Sequence, residues 1–321
     1  MLKSRAGKVG LVLAGLAVAG QLSLIATAGK IGSLDLAKVP GCFVYLDDGE
    51  LRTYCPRRGQ VARKQHTSLE SVAVLLAPSR TPGDIVFLGQ GQSSGLLRVR
   101  NAGSEIGIFP DPRLGGHKPG NITRWRLGGN ELYTIAEREG QAALFRLDMH
   151  GRLDSTKLPL PSGLKMQDEW SAAPSVHDGT KIVFSAPVEV GPWPILPADM
   201  SSGTVRTLAY GYHPEWSPDG SRIAFARGLH VGVLDVGSGK TSRFTIWRPR
   251  TVLDYLVPIG TPAIVTRITW LGDSGYLACG VGQGKLWREW IVVVDLSTGA
   301  THQLPVSTAP AKWAWVPDAQ R

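Results

Sequence analysis

Side chains that could perform catalysis are dispersed along the 321-residue sequence. Among the seven histidines, no pair shows the His-x-His or His-Glu-x-x-His spacing that brings two imidazoles to one metal ion. His177 and His213 lie near the first strands of two predicted sheets and are the best candidates for a site assembled from distant strands, but a histidine held within a turn is the simpler interpretation of each. Residues 91–95, Gly-Gln-Ser-Ser-Gly, match Gly-x-Ser-x-Gly, yet a nucleophile elbow needs a helix after the serine, and here a strand follows. We therefore predict no catalytic residue, no metal ligand and no cofactor.

Tryptophan and arginine residues in loops are better candidates for binding a partner. Trp193 lies between prolines in residues 190–194, which are too proline-rich for a central strand and are predicted to be a loop. Trp247, Arg248 and Arg250 lie in a long insert, residues 246–262. Loops of this length often carry binding surfaces, and exposed tryptophan and arginine are common hot-spot residues. We predict that these four side chains contact a protein partner.

Residues 212–245 contain the elements that would position such loops. Four short strand patterns are separated by three turns, at Pro-Asp-Gly (218–220), Gly-Leu-His (228–230) and Asp-Val-Gly-Ser-Gly (235–239). The strand over residues 231–236 is β-branched, and the last strand, residues 240–245, is polar. One such sheet cannot bury both of its faces, so copies must stack around an axis.

Degenerate copies of this unit recur along the chain. A hydrophobic strand followed by an Asp-x-x-Ser/Thr-Gly-like turn occurs at residues 199–203, 235–239 and 295–299, with weaker versions at 56–59, 101–103 and 148–151. The closing glycines, at positions 59, 103, 151, 203, 239 and 299, are separated by 44, 48, 52, 36 and 60 residues. Four-stranded, WD40-like repeats have a period of roughly 40–50 residues. Six copies predict six four-stranded antiparallel blades.

Residues 216–225, Trp-Ser-Pro-Asp-Gly-Ser-Arg-Ile-Ala-Phe, resemble the repeat of the TolB-like β-propeller family. The resemblance extends from about residue 41 to the C-terminus, although only this blade carries the full motif. Residues 176–184 keep the Asp-Gly turn, whereas residues 125–133 and 270–277 keep the tryptophan and the following strand. The resemblance implies a six-bladed propeller, an architecture used by binding platforms, lyases and peptidase lids. Tryptophans at equivalent repeat positions are predicted to pack in the core: Trp125, Trp216, Trp270 and Trp313.

Composition and charge narrow the class of protein. A hydrophobic content of 43% and a charged content of 19% indicate a packed globular protein. The net charge of +9 could indicate nucleic-acid or membrane binding. Three positive charges, however, belong to the first eight residues, and most of the others are scattered. We predict a solvated basic surface and no nucleic-acid partner.

Residues 1–30 are predicted to be an export segment. Lys3, Arg5 and Lys8 precede an apolar run over residues 9–28, which is about long enough to span a bilayer. As a retained helix this segment anchors the chain in the cytoplasmic membrane, with the propeller on the periplasmic or extracytoplasmic side. As a signal peptide it is cleaved after Ala28, and the protein is released to the periplasm. We favour the anchor, followed by a linker over residues 31–40.

Cysteine positions predict one disulfide bond. Asp48-Gly49 is a hairpin turn signal, and the resulting register places Cys42 opposite Cys55 in a non-hydrogen-bonded pair. An oxidising compartment would favour the bond, whereas two buried thiols are the alternative. The third cysteine, Cys279, is predicted to be a small core residue.

The first blade requires a strand from the other end of the sequence. Residues 42–66 supply three strands, and residues 311–318 resemble the start of another repeat. We predict that residues 312–316 form the innermost strand of the first blade and pair with residues 42–46. The predicted propeller domain then covers residues 41–321.

The sequence therefore predicts an all-β, six-bladed β-propeller of four-stranded antiparallel blades, preceded by one N-terminal helix. We expect a non-enzymatic, membrane-anchored, extracytoplasmic protein that acts as a protein-interaction module or accessory subunit of a membrane or envelope complex. Two alternatives remain open. One is a propeller-type lyase or another carbohydrate-active enzyme with its site at the axial channel, and the other is a small-ligand-binding periplasmic protein.

Overall fold

The computed structural model describes residues 34–47, 50–65, 72–75, 84–89, 95–100, 106–110, 126–128, 131–138, 141–147, 152–158, 171–172, 175–177, 180–186, 193–246, 264–272, 275–283, 288–308 and 313–316. The chain divides into two units, Met1–Ser33 and Leu34–Arg321. The predicted export segment lies in the first unit, outside the described residues. Within the described ranges, no helix is long and apolar enough to cross a membrane.

The described strands form six antiparallel sheets, numbered here along the chain. The first sheet contains β1 (Cys42–Asp47), β2 (Glu50–Cys55), β3 (Gln60–Gln65) and the distant strand β26 (Trp313–Val316). The second contains β4 (Val72–Leu75), β5 (Asp84–Gly89), β6 (Gly95–Arg100) and β7 (Ile106–Pro110). The third contains β8 (Arg126–Gly128), β9 (Glu131–Arg138), β10 (Gln141–Leu147), β11 (Leu153–Lys157) and β12 (Ser171–Ala172).

The remaining three sheets follow the same plan. The fourth contains β13 (Ser175–His177), β14 (Lys181–Ser185), β15 (Pro194–Asp199), β16 (Thr204–Val205) and β17 (Ala209–Tyr210). The fifth contains β18 (Tyr212–Trp216), β19 (Arg222–Arg227), β20 (His230–Asp235) and β21 (Thr241–Thr245). The sixth contains β22 (Ile264–Leu271), β23 (Tyr276–Gln283), β24 (Arg288–Asp295) and β25 (Thr301–Thr308). Two 3-10 helices flank the first sheet's strands, Leu36–Lys38 and Pro56–Arg58.

The predicted all-β, antiparallel architecture is confirmed, and the unit predicted over residues 212–245 is present as β18 to β21. Two details differ from the prediction. The third and fourth sheets each contain five strands rather than four, because the two-residue strands β12 and β17 join them. The other difference lies in the fourth sheet. Residues 190–194 were expected to be a proline-rich loop, but Pro194 begins β15 and Pro197 lies within it. Proline can occupy these positions because its carbonyl still accepts hydrogen bonds, here from Ala186 N to Pro194 and from Arg206 N to Pro197.

Neighbouring sheets pack against one another through shared apolar clusters. Each of the following pairs belongs to one buried cluster: Ile135 with Phe184, Ile195 with Phe225, Val231 with Val265, and Ile291 with Phe43. These clusters join the third sheet to the fourth, the fourth to the fifth, the fifth to the sixth, and the sixth to the first. Each of these five sheets thus buries apolar surface that it could not bury alone.

The first sheet is completed by β26, at the position that the sequence predicts for residues 312–316. Cys42 pairs with Val316 and Tyr45 with Trp313, in antiparallel register. The Trp313 side chain is fully buried and lies against Phe43, with ring centroids 6.0 Å apart. The C-terminal strand is therefore part of the core of the N-terminal sheet.

Polar bonds reinforce the contact between the sixth and first sheets, which we call the closure seam. Arg267 Nη1 donates to the carbonyl oxygen of Trp313 at 2.6 Å, and Thr308 Oγ1 donates to the carbonyl oxygen of Leu46 at 2.7 Å. Both side chains are buried, with Arg267 only 4% exposed. These bonds satisfy backbone acceptors where two sheets exclude water.

A buried carboxylate lies beside this seam. Glu289 on β24 is 0% exposed and accepts a hydrogen bond from Thr266 Oγ1 on β22. The carboxylate reaches across β23 because Gly280 has no side chain there; a Cβ at position 280 would overlap Glu289 Oε1. Glu289 also pairs in register with Thr308 of β25.

The repeated Asp-x-x-Ser/Thr-Gly turns have one structure. Oδ1 of Asp199, Asp235 and Asp295 accepts hydrogen bonds from serine or threonine residues two or three positions later. Hydrogen bonds from Ser201 lower the pKa of Asp199, and hydrogen bonds from Ser238 lower the pKa of Asp235. At Asp295, burial acts to raise the pKa, but the bonds from Ser297 and Thr298 together outweigh it, so the pKa is lowered there too. Glycines with positive φ close all three turns: Gly203, Gly239 and Gly299.

The predicted disulfide bond joins Cys42 to Cys55, with their Cα atoms 4.2 Å apart. Tyr54 pairs with Phe43 and Glu50 with Asp47, which is the register expected for a turn at Asp48-Gly49. Cys279 is buried in the sixth sheet, and burial raises the pKa of its thiol.

The predicted burial of the repeat tryptophans is confirmed for Trp216, Trp270 and Trp313, whereas Trp125 lies outside the described residues. Two of the three lie under arginines: Arg222 Cζ lies 5.0 Å from the ring centroid of Trp270, and Arg267 Cζ lies 5.2 Å from that of Trp313.

Candidate functional site

One edge of the fourth and fifth sheets carries four aromatic or aliphatic side chains, Trp193, Tyr210, Tyr212 and Leu229. We call this set the aromatic edge. Trp193 and Tyr212 meet edge to face, with ring centroids 5.1 Å apart and an interplanar angle of 62°. Tyr210 is 52% exposed, and Leu229 lies in the turn that connects β19 to β20. These side chains place an aromatic surface at the boundary between two sheets.

Backbone contacts fix the position of these aromatic residues. Gly211 N donates to the carbonyl oxygen of Trp193 at 2.8 Å, and Tyr210 pairs with Pro194 across the fourth sheet. Gly211 also packs against β19 so closely that a Cβ there would overlap the carbonyl oxygen of Ala226. A glycine between the two tyrosines therefore allows the chain to pass directly from the fourth sheet to the fifth.

His213, next to Tyr212, has an unusual backbone conformation. Its φ is +52°, in the left-handed region, and it precedes Pro214. The register of β18 against β19 shifts between Tyr212 and Glu215, so this residue lies in a β-bulge. Its side chain is exposed. Bulges and strained residues of this kind are over-represented at functional sites.

Charge is distributed unequally between the two edges of the fifth sheet. Arg227, at the end of β19, is exposed beside the 228–229 turn at the aromatic edge. Asp219 and Asp235 lie in the turns at the opposite edge. Hydrogen bonds from Ser217 and Ser221 hold the pKa of Asp219 at about 2. Near the aromatic edge, burial and the neighbouring Arg243 charge lower the pKa of His230.

Comparison with known proteins identifies the fold of the chain. No protein-family model matches the sequence, and no curated protein matches it. Among solved structures, TolB from Acinetobacter baumannii aligns at a TM-score of 0.57 and 14% identity, over 89% of this chain and 68% of that one. The putative TolB from Agrobacterium tumefaciens aligns at a TM-score of 0.51 and 14% identity, over 85% of this chain and 91% of that one. The chain has a TolB-like β-propeller fold.

A third similar structure is an oligogalacturonate lyase in complex with manganese. The alignment covers 87% of this chain and 76% of the lyase chain, at 13% identity and a TM-score of 0.45. A similarity at that level does not support a functional argument. The two TolB structures confirm the family resemblance of the fold, and their low identity leaves the function of this propeller to be argued from its own residues.

The predicted site residues are only partly described. Trp193 is half-buried and contributes its ring to the aromatic edge. Trp247, Arg248 and Arg250 lie outside the described residues, so their role stays a prediction. Sequence reasoning did not select Tyr210 or Tyr212. The available signal was the pattern Ala-Tyr-Gly-Tyr-His-Pro over residues 209–214, in which aromatic residues flank a glycine just before a proline.

The two histidines singled out in the sequence are not brought together. His177 ends β13 and packs against Gly220 in the turn that follows β18, with its ring centroid 6.1 Å from that of Trp216. His213 lies in the bulge near the start of β18. Across the described part of the chain, no group of three or more His, Cys, Asp or Glu side chains could hold a metal ion. Ser93 lies outside the described residues.

Proposed function

We propose that this chain is a membrane-anchored, extracytoplasmic propeller of six blades that acts, without catalysis, as a protein-interaction module or accessory subunit of a membrane or envelope complex. The observation that carries the proposal is the exposed Tyr210 ring beside the Trp193–Tyr212 pair. Tyrosine and tryptophan at a protein surface are typical of the energetically important centre of an interface.

The neighbouring sixth sheet adds apolar surface at its corresponding edge. Ile264, the first residue of β22, is 51% exposed and pairs with Gly282 near the end of β23. Within the described residues, Tyr210 and Ile264 are the exposed large hydrophobic side chains. Tyr210 ends β17 and Ile264 begins β22, and both strands lie at the edges of their sheets. A partner could therefore contact both side chains without disturbing the packed core.

Two features favour the placement of this surface outside the cytoplasm. The Cys42–Cys55 disulfide bond is of the kind that forms and persists in oxidising compartments. The basic and apolar pattern of residues 1–28 fits an N-terminus that remains in the cytoplasm while the propeller is translocated. Together these features favour a periplasmic or extracytoplasmic protein held at the membrane.

Site-specific photocrosslinking of the full-length chain in native membranes tests the proposal. A photoreactive phenylalanine analogue at position 210 should give a discrete crosslinked protein, and Tyr210→Ala should reduce recovery of that protein in mild detergent. The matched control places the analogue at Thr241, an exposed residue near the opposite edge of blade five. Equal labelling from both positions, or partner recovery that is unchanged by Tyr210→Ala, would reject the aromatic edge as an interface.

A second candidate function is a small-ligand or carbohydrate site at the inner strands, and the strained, exposed His213 favours it. β18 is the first strand in the order of its sheet, and the innermost strand of a propeller blade lies next to the central channel, so a ligand in such a channel would lie close to β18. Metal-dependent polysaccharide cleavage that is lost in His213→Gln would support the enzyme. The candidate site would be rejected if the protein cleaves no polysaccharide and if no ligand raises the melting temperature of the wild type more than that of His213→Gln.

A further inference from the structure

We infer that the aromatic edge binds an acidic polypeptide segment that also carries an aromatic or aliphatic side chain. This inference rests on the proposed interaction function and specifies the chemistry of the partner. The aromatic edge supplies the apolar contact through Tyr210 and Tyr212, and the charge distribution around the edge supplies the preference for acidic groups.

The carboxylates of the described region around the edge lie elsewhere. Residues 193–246, all described, contain four acidic residues, Asp199, Glu215, Asp219 and Asp235. The three aspartates lie in turns at the opposite edge, where serine hydroxyls and backbone amides bond to them. Glu215 lies within β18 opposite Ala224, half-buried between strands. An incoming carboxylate at the aromatic edge therefore meets no exposed carboxylate of this region.

A positive group lies at the same edge of the fifth sheet, on the other face of β19 from Tyr212. Tyr212 pairs with Ala226, and Arg227 is the next residue along β19. Arg227 then pairs with His230 across the 228–229 turn, which fixes its backbone at the edge while its side chain is exposed. A guanidinium can bind a carboxylate through two parallel hydrogen bonds, and the hydroxyls of Tyr210 and Tyr212 are additional donors. An exposed arginine and two tyrosines at one edge of the sheets thus suit an acidic residue flanked by an apolar one.

The same features favour a protein over an anionic membrane. Adsorption to acidic lipids requires clusters of about four to eight lysines or arginines, each contributing through the surface potential. Near the aromatic edge, the exposed basic side chains of the described residues are Arg227 and, beside His230, Arg243. Two arginines are fewer than such a cluster, and aromatic contacts combined with a few arginines are instead typical of protein interfaces.

A peptide array tests this inference with the full-length protein in mild detergent. The probes are peptides of one length that each contain one phenylalanine and whose net charge is varied stepwise from strongly negative to strongly positive. We expect binding to rise with negative charge and to weaken with added salt, because exposed ion pairs are screened. Arg227→Glu should weaken binding of the acidic peptides roughly fivefold or more. Tyr210→Ala should weaken binding of every peptide that binds the wild type.

The matched control is Lys240→Glu, which makes the same charge change at the opposite edge and should leave binding unchanged. Melting temperatures equal to wild type establish that the variants are folded. Binding that is independent of peptide charge, that is strongest for neutral or basic peptides, or that survives Arg227→Glu would overturn the inference. Binding to anionic vesicles in preference to every peptide would also overturn it. If crosslinking from position 210 still captures a partner in any of these cases, the interaction function stands and only the acidic chemistry fails.

Discussion

The side chain of Arg267, in the sixth blade, donates a hydrogen bond to the backbone carbonyl of Trp313, in the first. The two atoms lie 2.6 Å apart, and the guanidinium carbon lies 5.2 Å from the centre of the same tryptophan's ring. One buried arginine thus binds both the backbone and the side chain of β26. The C-terminal strand is held by the sixth blade as well as by its own sheet.

Arg267→Met should therefore destabilise the protein more than a surface substitution. Methionine keeps much of the apolar length but removes the charged donor, so we expect unfolding in guanidinium chloride to show a free energy lower by about 2–3 kcal/mol. Arg222→Met is the matched control, because Arg222 also lies over a tryptophan but is only half-buried; its loss should cost less than about 1 kcal/mol. Equal losses in the two variants would contradict this role for the closure seam.

A methyl group at Gly280 should displace the buried carboxylate of Glu289. The added Cβ would overlap Glu289 Oε1 and lie 2.7 Å from Thr266 Oγ1, so Gly280→Ala should lower the free energy of unfolding by about 2–3 kcal/mol. Gly275→Ala makes the same change where nothing lies within 4 Å of the new Cβ. Thermal melting of both variants checks the prediction, which fails if their midpoints shift equally.

Removing residues 310–321 should expose the edge of β1 and the apolar surface that Trp313 covers. An open strand edge beside buried Phe43 and Tyr45 promotes association between chains, so we expect aggregation detectable by size-exclusion chromatography and light scattering. Removing residues 317–321 alone leaves β26 intact and serves as the control. A soluble monomer with an unchanged melting temperature after the longer deletion would exclude an essential role for β26.

Asp219 should make stability depend on pH in the acid range. Its pKa is lowered to about 2 by bonds from Ser217 and Ser221, whereas an unfolded aspartate titrates near 3.9. The stabilising contribution of the ionised carboxylate is therefore complete above about pH 5 and is lost as the pH falls towards 2. Melting temperatures of wild type and Asp219→Asn should differ near neutral pH and converge between about pH 4 and 2. A constant difference across that range would show that ionisation of Asp219 does not contribute.

Features set by local sequence were predicted, as was the pairing of β26 with β1, which follows from counting the strands of the repeat. Side-chain arrangements that depend on several distant strands were not predicted. The β-branched run and the Pro-Asp-Gly turn defined blade five because both act within a few residues, and Asp48-Gly49 fixed the register that joins Cys42 to Cys55. No local pattern indicated that Glu289 would be buried, because the space for it is created by a glycine on one strand and a threonine on another.

The same limit applies to the candidate site. Trp193 was selected for its flanking prolines, but its partner Tyr212 lies in the next blade, 19 residues further along the chain. The left-handed conformation of His213 depends on the register shift between β18 and β19, which no single strand pattern reveals. The short strands β12 and β17 were also missed, since two residues are too few to show an alternating pattern.

The place of β26 inside the first sheet has a consequence for biosynthesis. The chain is made from β1 onwards, and β26 emerges from the ribosome only after the strands of the other five sheets. Cys42 and Cys55 are 13 residues apart, so in an oxidising compartment their bond can secure the β1–β2 hairpin before β26 is available. The other side of β1 stays unpaired until translation reaches residue 313. The first blade to be started is therefore the last to be finished, and every nascent or interrupted chain carries an open edge that a chaperone or protease can use to distinguish it from the completed protein.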